Sequence, residues 1–434
     1  MLRSLYAKWM FDWETRLTTR DTNRRIRPLE WGFDWLADWI DSLPDARRIS
    51  IQQDMASKDS ARMEAAMLAV NDSILAYSDR FYGYNPPTDF RLEERHPQLF
   101  PTNVRPETLR EDARLKRLAA EGRLPPAQFL RFTSPIRTPY PENNQVNARW
   151  YPAPAEKQAG KPRQAMIVLP QWNADAFSHN ALCSIFNHFG ISALRLSNPF
   201  HDIRRPAELE RSDYAVSANI GRTIATNRQA VVDIRSCLDW LEMQGYEQFG
   251  ILGTSLGSCY AFIASAHDPR LRVHVFNHAA TWFGDVAWTG QSTRHIHAAF
   301  EQAGLTQARL RALWSGISPM VYMDLFAGTA PIRQQEADAP VAWPRKRSRM
   351  IYAPYDLTFL PEFSLQVIEQ FKLHDLDFDV KVLPCGHYTT GEFPFKYIDG
   401  WYMGSFVYTA FKRLAREGSG STSPPQMEYV ALSA

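Results

Sequence analysis

Gly253-Thr254-Ser255-Leu256-Gly257 constrains this chain more than any other stretch. An apolar run with Phe249, Ile251 and Leu252 precedes it, and a small-residue segment, 258–266, follows. A strand that reverses into a helix over so few residues leaves room only for glycine beside the central residue. The serine is held in a strained backbone there, and its hydroxyl is presented at the strand end. Taken alone, the same five residues also fit an ordinary strand-to-helix turn in a parallel sheet. The downstream sequence separates the two readings.

Arg349-Met350-Ile351-Tyr352-Ala353 reads as a buried strand ending in Pro354-Tyr355-Asp356, which sets a carboxylate at its carboxyl end. Phe378-Asp379-Val380-Lys381-Val382-Leu383 alternates with period two and ends in Pro384-Cys385-Gly386-His387. A serine hydroxyl is too weak an acid to attack an ester unaided. An imidazole must take its proton, and an anion must fix that imidazole's tautomer and stabilise its charged form. Ser255 is therefore assigned as nucleophile, His387 as general base and then acid, and Asp356 as the orienting carboxylate.

Serine, then an acid after the next-to-last strand, then histidine after the last strand is the chain order of the α/β-hydrolases. Over roughly residues 130–415 the chain resembles that superfamily, with GTSLGS, YDLTF and GHYTTGEF standing at its nucleophile, acid and histidine. Two alternatives to Asp356 stay open. Asp285 follows the strand Val273-His274-Val275-Phe276, where some members hold their acid; and Asp356 has a second reading as the N-cap of a helix beginning near Pro361. His278, His179, His201, His295 and His297 read as structural or solvent-facing.

The resemblance also implies an oxyanion hole, with the Leu256 backbone N–H as one donor. The strand 165–169 leads into Pro170-Gln171-Trp172-Asn173, so the amide of Gln171 or Trp172 is the second donor. Pro170-Gln171 replaces the superfamily's usual His-Gly pair, although a backbone donor requires no particular side chain. Packing of Trp172 beneath the sheet is the competing role.

Composition narrows the partners. The 434 residues suffice for one large α/β domain plus an added element of ~100 residues or more. A net charge of +2, with no basic stripe interleaved with aromatics, argues against nucleic acid. Cys183, Cys237, Cys259 and Cys385 lack CxxC or histidine spacing, so neither disulfide framework nor zinc site is indicated, and no cofactor or metal is expected. No stretch approaches the ~18 apolar residues of a transmembrane segment. Lys8, Asp12 and Glu14 interrupt what would be the apolar centre of a secretory leader, so a cytoplasmic location is expected.

Period-two or continuous apolar runs alternate with amphipathic helices, which predicts an α/β fold: a mostly parallel sheet with helices on both faces. The expected divisions are an N-terminal helical extension over 1–125 and a catalytic domain over 126–416, with a helical lid at about 280–338, then a flexible tail over 417–434. Met63, Met67, Val70, Ile74, Tyr77 and Phe81 mark one apolar helical face in the extension. Segments 129–138 and 146–151 are expected as antiparallel opening strands, and 165–169, 178–188 and 191–196 as a strand–helix–strand unit. In the lid, Trp282, Phe283, Trp288 and Trp314 either line an acyl or alcohol pocket or fasten the insertion to the sheet.

Trp9 and Trp13, and then Trp31, Trp35 and Trp39, recur one helical turn apart among several arginines. Such a face either lies in a bilayer headgroup layer or packs on the hydrolase domain or across a homo-oligomer contact. Asp12, Glu14, Asp34, Asp38 and Asp41 dilute its positive charge. In Phe200-His201-Asp202-Ile203-Arg204-Arg205 the adjacent His and Asp could bind a polar substrate group, but a solvated turn is expected. Thr389 and Thr390 either steady the histidine loop or, as expected here, cap a helix beginning near Glu392.

Together these residues predict a serine hydrolase that cleaves a small-molecule or lipid carboxylic ester through an acyl-enzyme. The same groups would serve thioesters and amides. Two alternatives remain: a lipid- or thioester-directed hydrolase working at membrane surfaces, and a hydrolase-like scaffold that binds a partner without turnover.

Overall fold

The computed structural model describes residues 2–57, 59–329 and 344–418, and the strands among them form one nine-stranded sheet. They are β1 (Arg91–Arg95), β2 (Ala127–Thr133), β3 (Gln145–Tyr151), β4 (Gln164–Leu169), β5 (Ile191–Leu196), β6 (Gln248–Thr254), β7 (Leu271–Asn277), β8 (Arg347–Tyr352) and β9 (Asp377–Val382). Their spatial order is β1-β2-β3-β5-β4-β6-β7-β8-β9. The first three strands and the β3–β5 pair are antiparallel, and every pairing from β5 through β4 to β9 is parallel. The α/β architecture with a mostly parallel sheet is the one anticipated. The last part of the expected lid, 330–338, and the C-terminal segment from 419 onward lie outside the described residues.

The middle strands show why a continuous apolar run was needed. Along β4, Ala165, Ile167 and Leu169 enter one core while Met166 and Val168 enter the other. A strand covered on both faces cannot alternate with polar residues. The reverse holds at the edge. Arg-Leu-Glu-Glu-Arg of β1 is mostly exposed and carries no apolar alternation, so a strand of the sheet sits inside the segment read as a helical extension.

The helix Ile220–Met243 begins at Asn219, whose side chain accepts the Arg222 N–H at 2.8 Å, and nearly all of it is buried. In the N-terminal region Asp59 caps the helix Ser60–Ala76 in the same way. Met67, Val70 and Ile74 form its buried face, but the helix stops before Tyr77, which is exposed. Phe33, Leu36, Trp39 and Ile40 join Ile224, Ile251 and Phe276 in one core. Trp39 is buried with its Nε1–H on Ser73 Oγ at 2.9 Å, so this indole packs inside the protein, whereas Trp9 is 48% exposed. No helix among the described residues is long and apolar enough to cross a membrane.

The segment after β5 departs from the solvated turn expected. Phe200, His201, Asp202 and Arg204 are all buried. Arg204 binds Asp233 Oδ2 at 2.8 Å and the Asn143 and Ser197 carbonyls, while Asp202 takes Arg195 and the Ser197 hydroxyl. Charged residues stay inside here because each one finds an ionic partner and hydrogen bonds.

Candidate active site

β6 delivers Ser255 into a sharp reversal before the helix Leu256–His267. Ser255 has φ 57° and ψ −119°, a region that non-glycine residues rarely occupy. Its two glycine neighbours are there for space. A Cβ on Gly257 would stand 2.6 Å from the Leu169 carbonyl oxygen, and one on Gly253 would overlap the Gly257 carbonyl. The Ser255 N–H donates to the Asn277 carbonyl at 2.8 Å, which ties the turn to β7.

β8 and β9 supply the other two groups from their carboxyl ends, as the apolar runs predicted. Ser255 Oγ lies 2.9 Å from His387 Nε2, and His387 Nδ1 lies 2.8 Å from Asp356 Oδ2. A carboxylate only accepts hydrogen bonds, so Nδ1 carries the proton and Nε2 accepts from the serine hydroxyl. Asp356 Oδ1 is held by the Thr358 and Phe359 amides, both at 2.7 Å. The alternative of Asp356 as N-cap for the helix Pro361–Leu373 fails, because these amides lie in the preceding loop.

Asp285 is occupied elsewhere. Its carboxylate takes Arg311 at 2.6 Å and Gln307 at 3.1 Å, so the competing acid is an ion-pair partner within the helical insertion. His278, read from the sequence as structural or solvent-facing, is buried against Asp356. His278 Nδ1 lies 2.9 Å from the same Asp356 Oδ2, and its Nε2 lies 3.1 Å from Thr390 Oγ1. Thr389 and Thr390 form the 3₁₀ turn Thr389–Gly391 and bind this network, so they do not cap a helix near Glu392; the next helix starts at Phe395. His278 has a positive φ (55°), as His179 does (68°), and residue spacing cannot reveal either.

Electrostatics follows from these contacts. Burial works against a charged imidazole at His387, but the Asp356 carboxylate outweighs it and raises the pKa from its ordinary value. At His278 burial prevails and lowers the pKa, favouring the neutral ring. Burial alone would raise the Asp356 pKa; the His387 charge and hydrogen bonds from both imidazoles instead hold it well below the ordinary carboxylate range. His278, Asp356 and His387 also have donor atoms within 4.8 Å of one another, the spacing of a metal site. Both Nδ1 atoms, however, point their protons at one carboxylate oxygen, and His387 Nε2 faces Ser255. That arrangement suits proton transfer better than metal ligation.

Leu256, Gln171 and Trp172 line the same cavity as Ser255 and His387. The Leu256 N–H opens its helix, where the first amides have no intrahelical acceptor. The loop carrying Gln171 and Trp172 is pinned from three sides. Asn173 N–H donates to His201 Nε2 at 3.0 Å, Trp172 Nε1–H to the Ser212 carbonyl at 2.9 Å, and Asn198 Nδ2–H to the Pro170 carbonyl at 2.9 Å. His201 is thus a loop anchor, and His179 lies 2.9 Å from Thr254 Oγ1. Trp172 stacks on His295 at the cavity wall. The cavity measures about 1120 Å³ and reaches Phe283 and Val286 of the insertion and Tyr397 and Trp401 on the helix Phe395–Gly418. Trp314, by contrast, is buried and fastens the insertion to the core.

The family model described as alpha/beta hydrolase domain containing 18 matches residues 153–296. That third of the chain holds Gln171, Trp172, Ser255 and His278 but ends before Asp356 and His387. An acetyl xylan esterase from Paenibacillus sp. R4 is similar in structure, with a TM-score of 0.50 and 11% identity over 77% of this chain and 93% of that one. An acetyl xylan esterase from Thermoanaerobacterium sp. JW/SL YS485 gives 0.49 and 13%, over 79% and 93%. An acylaminoacyl peptidase from Pyrococcus horikoshii gives 0.47 and 10%, over 65% of this chain and 45% of its own length, so this chain spans less than half of that protein. No curated protein sequence matches the chain. The sheet order, the family model and the likeness to the Paenibacillus esterase together identify the α/β-hydrolase fold.

Proposed function

We propose that this chain, an α/β-hydrolase by fold, is a serine hydrolase that cleaves carboxylic esters through an acyl-enzyme. The observation carrying this reading is the relay of two hydrogen bonds, Ser255 Oγ to His387 Nε2 at 2.9 Å and His387 Nδ1 to Asp356 Oδ2 at 2.8 Å, opening on a cavity. Ser255 Oγ attacks the ester carbonyl carbon while His387 Nε2 takes the hydroxyl proton. Negative charge moves onto the carbonyl oxygen, where the Leu256 amide and the Gln171 or Trp172 amide receive it. Each such donor lowers the barrier by roughly 3 kcal/mol. The C–O bond to the alcohol then breaks, and His387 returns its proton to that leaving oxygen. Water, deprotonated by the same imidazole, cleaves the acyl-serine and restores Ser255. Asp356 stays ionised throughout and stabilises the imidazolium.

A fluorophosphonate probe tests this reading. Wild-type protein should become labelled, while Ser255→Ala and heat-denatured protein should not. Well-folded wild-type protein that stays unlabelled would instead favour a scaffold that binds without turnover.

The cavity supports a second, finer reading, in which the acyl group is long. Its volume exceeds what a short acyl ester fills, and its lining continues onto Tyr397 and Trp401, 65% and 70% exposed. A p-nitrophenyl ester series from acetyl to palmitoyl decides between them: kcat/KM that rises with chain length supports the long acyl group, and a maximum at acetyl rejects it.

A further inference from the structure

The N-terminal helix Leu2–Thr19 carries a charge where a surface helix would be expected to bury only apolar groups. Met10, Glu14 and Thr18, each four residues apart, form its buried stripe, and Glu14 is fully inaccessible. Its carboxylate meets the loop that holds His387. Oε1 accepts the Tyr388 N–H at 2.8 Å, and Oε2 accepts the Thr389 N–H at 2.9 Å and the Thr389 hydroxyl at 3.1 Å. These are the two backbone amides immediately after His387. The same helix grips the loop on its other side, where the Tyr6 hydroxyl donates to the Pro384 carbonyl.

Gly386 completes the fit. A Cβ there would stand 2.5 Å from the Glu14 carboxylate, so the glycine before the histidine is the space into which the carboxylate is set. Neither residue had a role in the hydrolytic chemistry as read from the sequence. Burial pushes the Glu14 pKa up, whereas the Tyr388 and Thr389 amides and the His387 ring favour the ionised carboxylate, which meets donors on both oxygens.

We infer that Glu14 is a positioning residue for His387: from the N-terminal helix, its carboxylate fixes the histidine loop through the Tyr388 and Thr389 amides and adds a second negative charge behind the imidazole. The inference rests on the proposed role of His387 as base. The titratable groups facing the imidazole are Asp356 and His278 from the loops after β8 and β7, Tyr388 from its own loop, and Glu14. Glu14 in turn faces His387, Asp356 and Cys385. An anion at this position favours the imidazolium, so removing its charge lowers the His387 pKa.

The test uses full-length wild-type protein, Glu14→Gln and Glu14→Asp, with two readouts. One is the His387 pKa by histidine-selective ¹⁵N NMR, assigned by the resonance missing from His387→Gln. The other is kcat and KM for a p-nitrophenyl ester across pH. Glu14→Gln should lower the imidazole pKa by about half a pH unit or more and move the acidic limb of the rate profile to lower pH. It should also cut kcat about tenfold, with KM within about twofold. Glu14→Asp keeps the charge but falls short of the amides, so kcat should drop several-fold while the pKa stays near wild type. Folded Glu14→Gln with an unchanged imidazole pKa and kcat overturns the inference; if that variant does not fold, wild-type kcat in Glu14→Asp overturns it. Labelling of wild type by the fluorophosphonate is scored separately. An unlabelled wild type whose His387 pKa still responds to Glu14→Gln removes the hydrolase reading and leaves the positioning contact standing.

Discussion

Two imidazoles share one oxygen of Asp356, and this sets the roles of all three residues. His278 is pushed neutral by burial and acts as a fixed donor; His387 reaches the cavity and faces the serine. Asp356→Asn keeps the shape but offers Nδ1 an amide in place of an anion. Turnover should fall ~10⁴-fold, as expected when the imidazole loses its tautomer and its counter-charge. Asp285→Asn should leave kcat within several-fold and lower thermal stability instead, because Asp285 pairs with Arg311. Reversal of that order would reassign the acid. The pH dependence has a definite sign: as the proposed base, His387 must be neutral to take the serine proton, and the Asp356 carboxylate pushes its pKa up from the ordinary imidazole value. The rate should therefore fall as pH drops through the His387 pKa, and a kcat/KM profile with no acidic limb contradicts the assignment. Ser255, Asp356 and His387 were legible because each follows an apolar strand, and strand ends converge in a parallel sheet. His278 was not, since a histidine at the end of a buried run gives no sign of which carboxylate it will meet. Glu14 was still less so: its partners lie more than 370 residues away, and no local pattern encodes that contact.

The elbow between β6 and its helix is a matter of backbone clearance. Ser255, His278, Asn173 and His179 all have positive φ and all lie on the cavity wall, where such strain costs ~1–3 kcal/mol per residue. The glycines relieve what would otherwise be a clash. Gly257→Ala puts a methyl group 2.6 Å from the Leu169 carbonyl and 2.8 Å from the Pro170 carbonyl, and neither backbone oxygen can move without shifting β4. Urea unfolding should show a loss of about 2 kcal/mol or more, with fluorophosphonate labelling slowed in whatever folded fraction remains. Unchanged stability and labelling would mean that the turn has slack that its packing denies. The sequence made this element readable because a Gly-x-Ser-x-Gly pattern carries its own steric logic. β1 had none: a mostly exposed edge strand needs no alternating apolar residues, so Arg-Leu-Glu-Glu-Arg resembles a charged helix or loop.

At the scale of the molecule, the N-terminal region and the sheet have one interior. Leu36, Trp39, Met67 and Ile74 share a core with Ile251 and Phe276, Tyr82 donates to the Gly316 carbonyl at 3.0 Å, and Arg228 binds both the Phe81 carbonyl and Asp38. Fully burying each such apolar side chain is worth roughly 1.5–3 kcal/mol, so several of them approach the whole stability of a typical domain. Residues 1–125 should therefore act as a structural part of the catalytic unit. Calorimetry of the full chain should give a single unfolding transition, and a fragment starting at residue 126 should lack cooperative unfolding and near-ultraviolet circular dichroism. The Glu14 contact makes the same point for activity: cutting the chain after residue 19 would remove the carboxylate that holds the histidine loop, even if the sheet survived. Two separate transitions, or a truncated fragment with native labelling by the fluorophosphonate, would show the helical region to be an independent appendage. Shared burial argues for a single transition, because the indole of Trp39 and the strand β6 that leads into Ser255 face the same apolar interior.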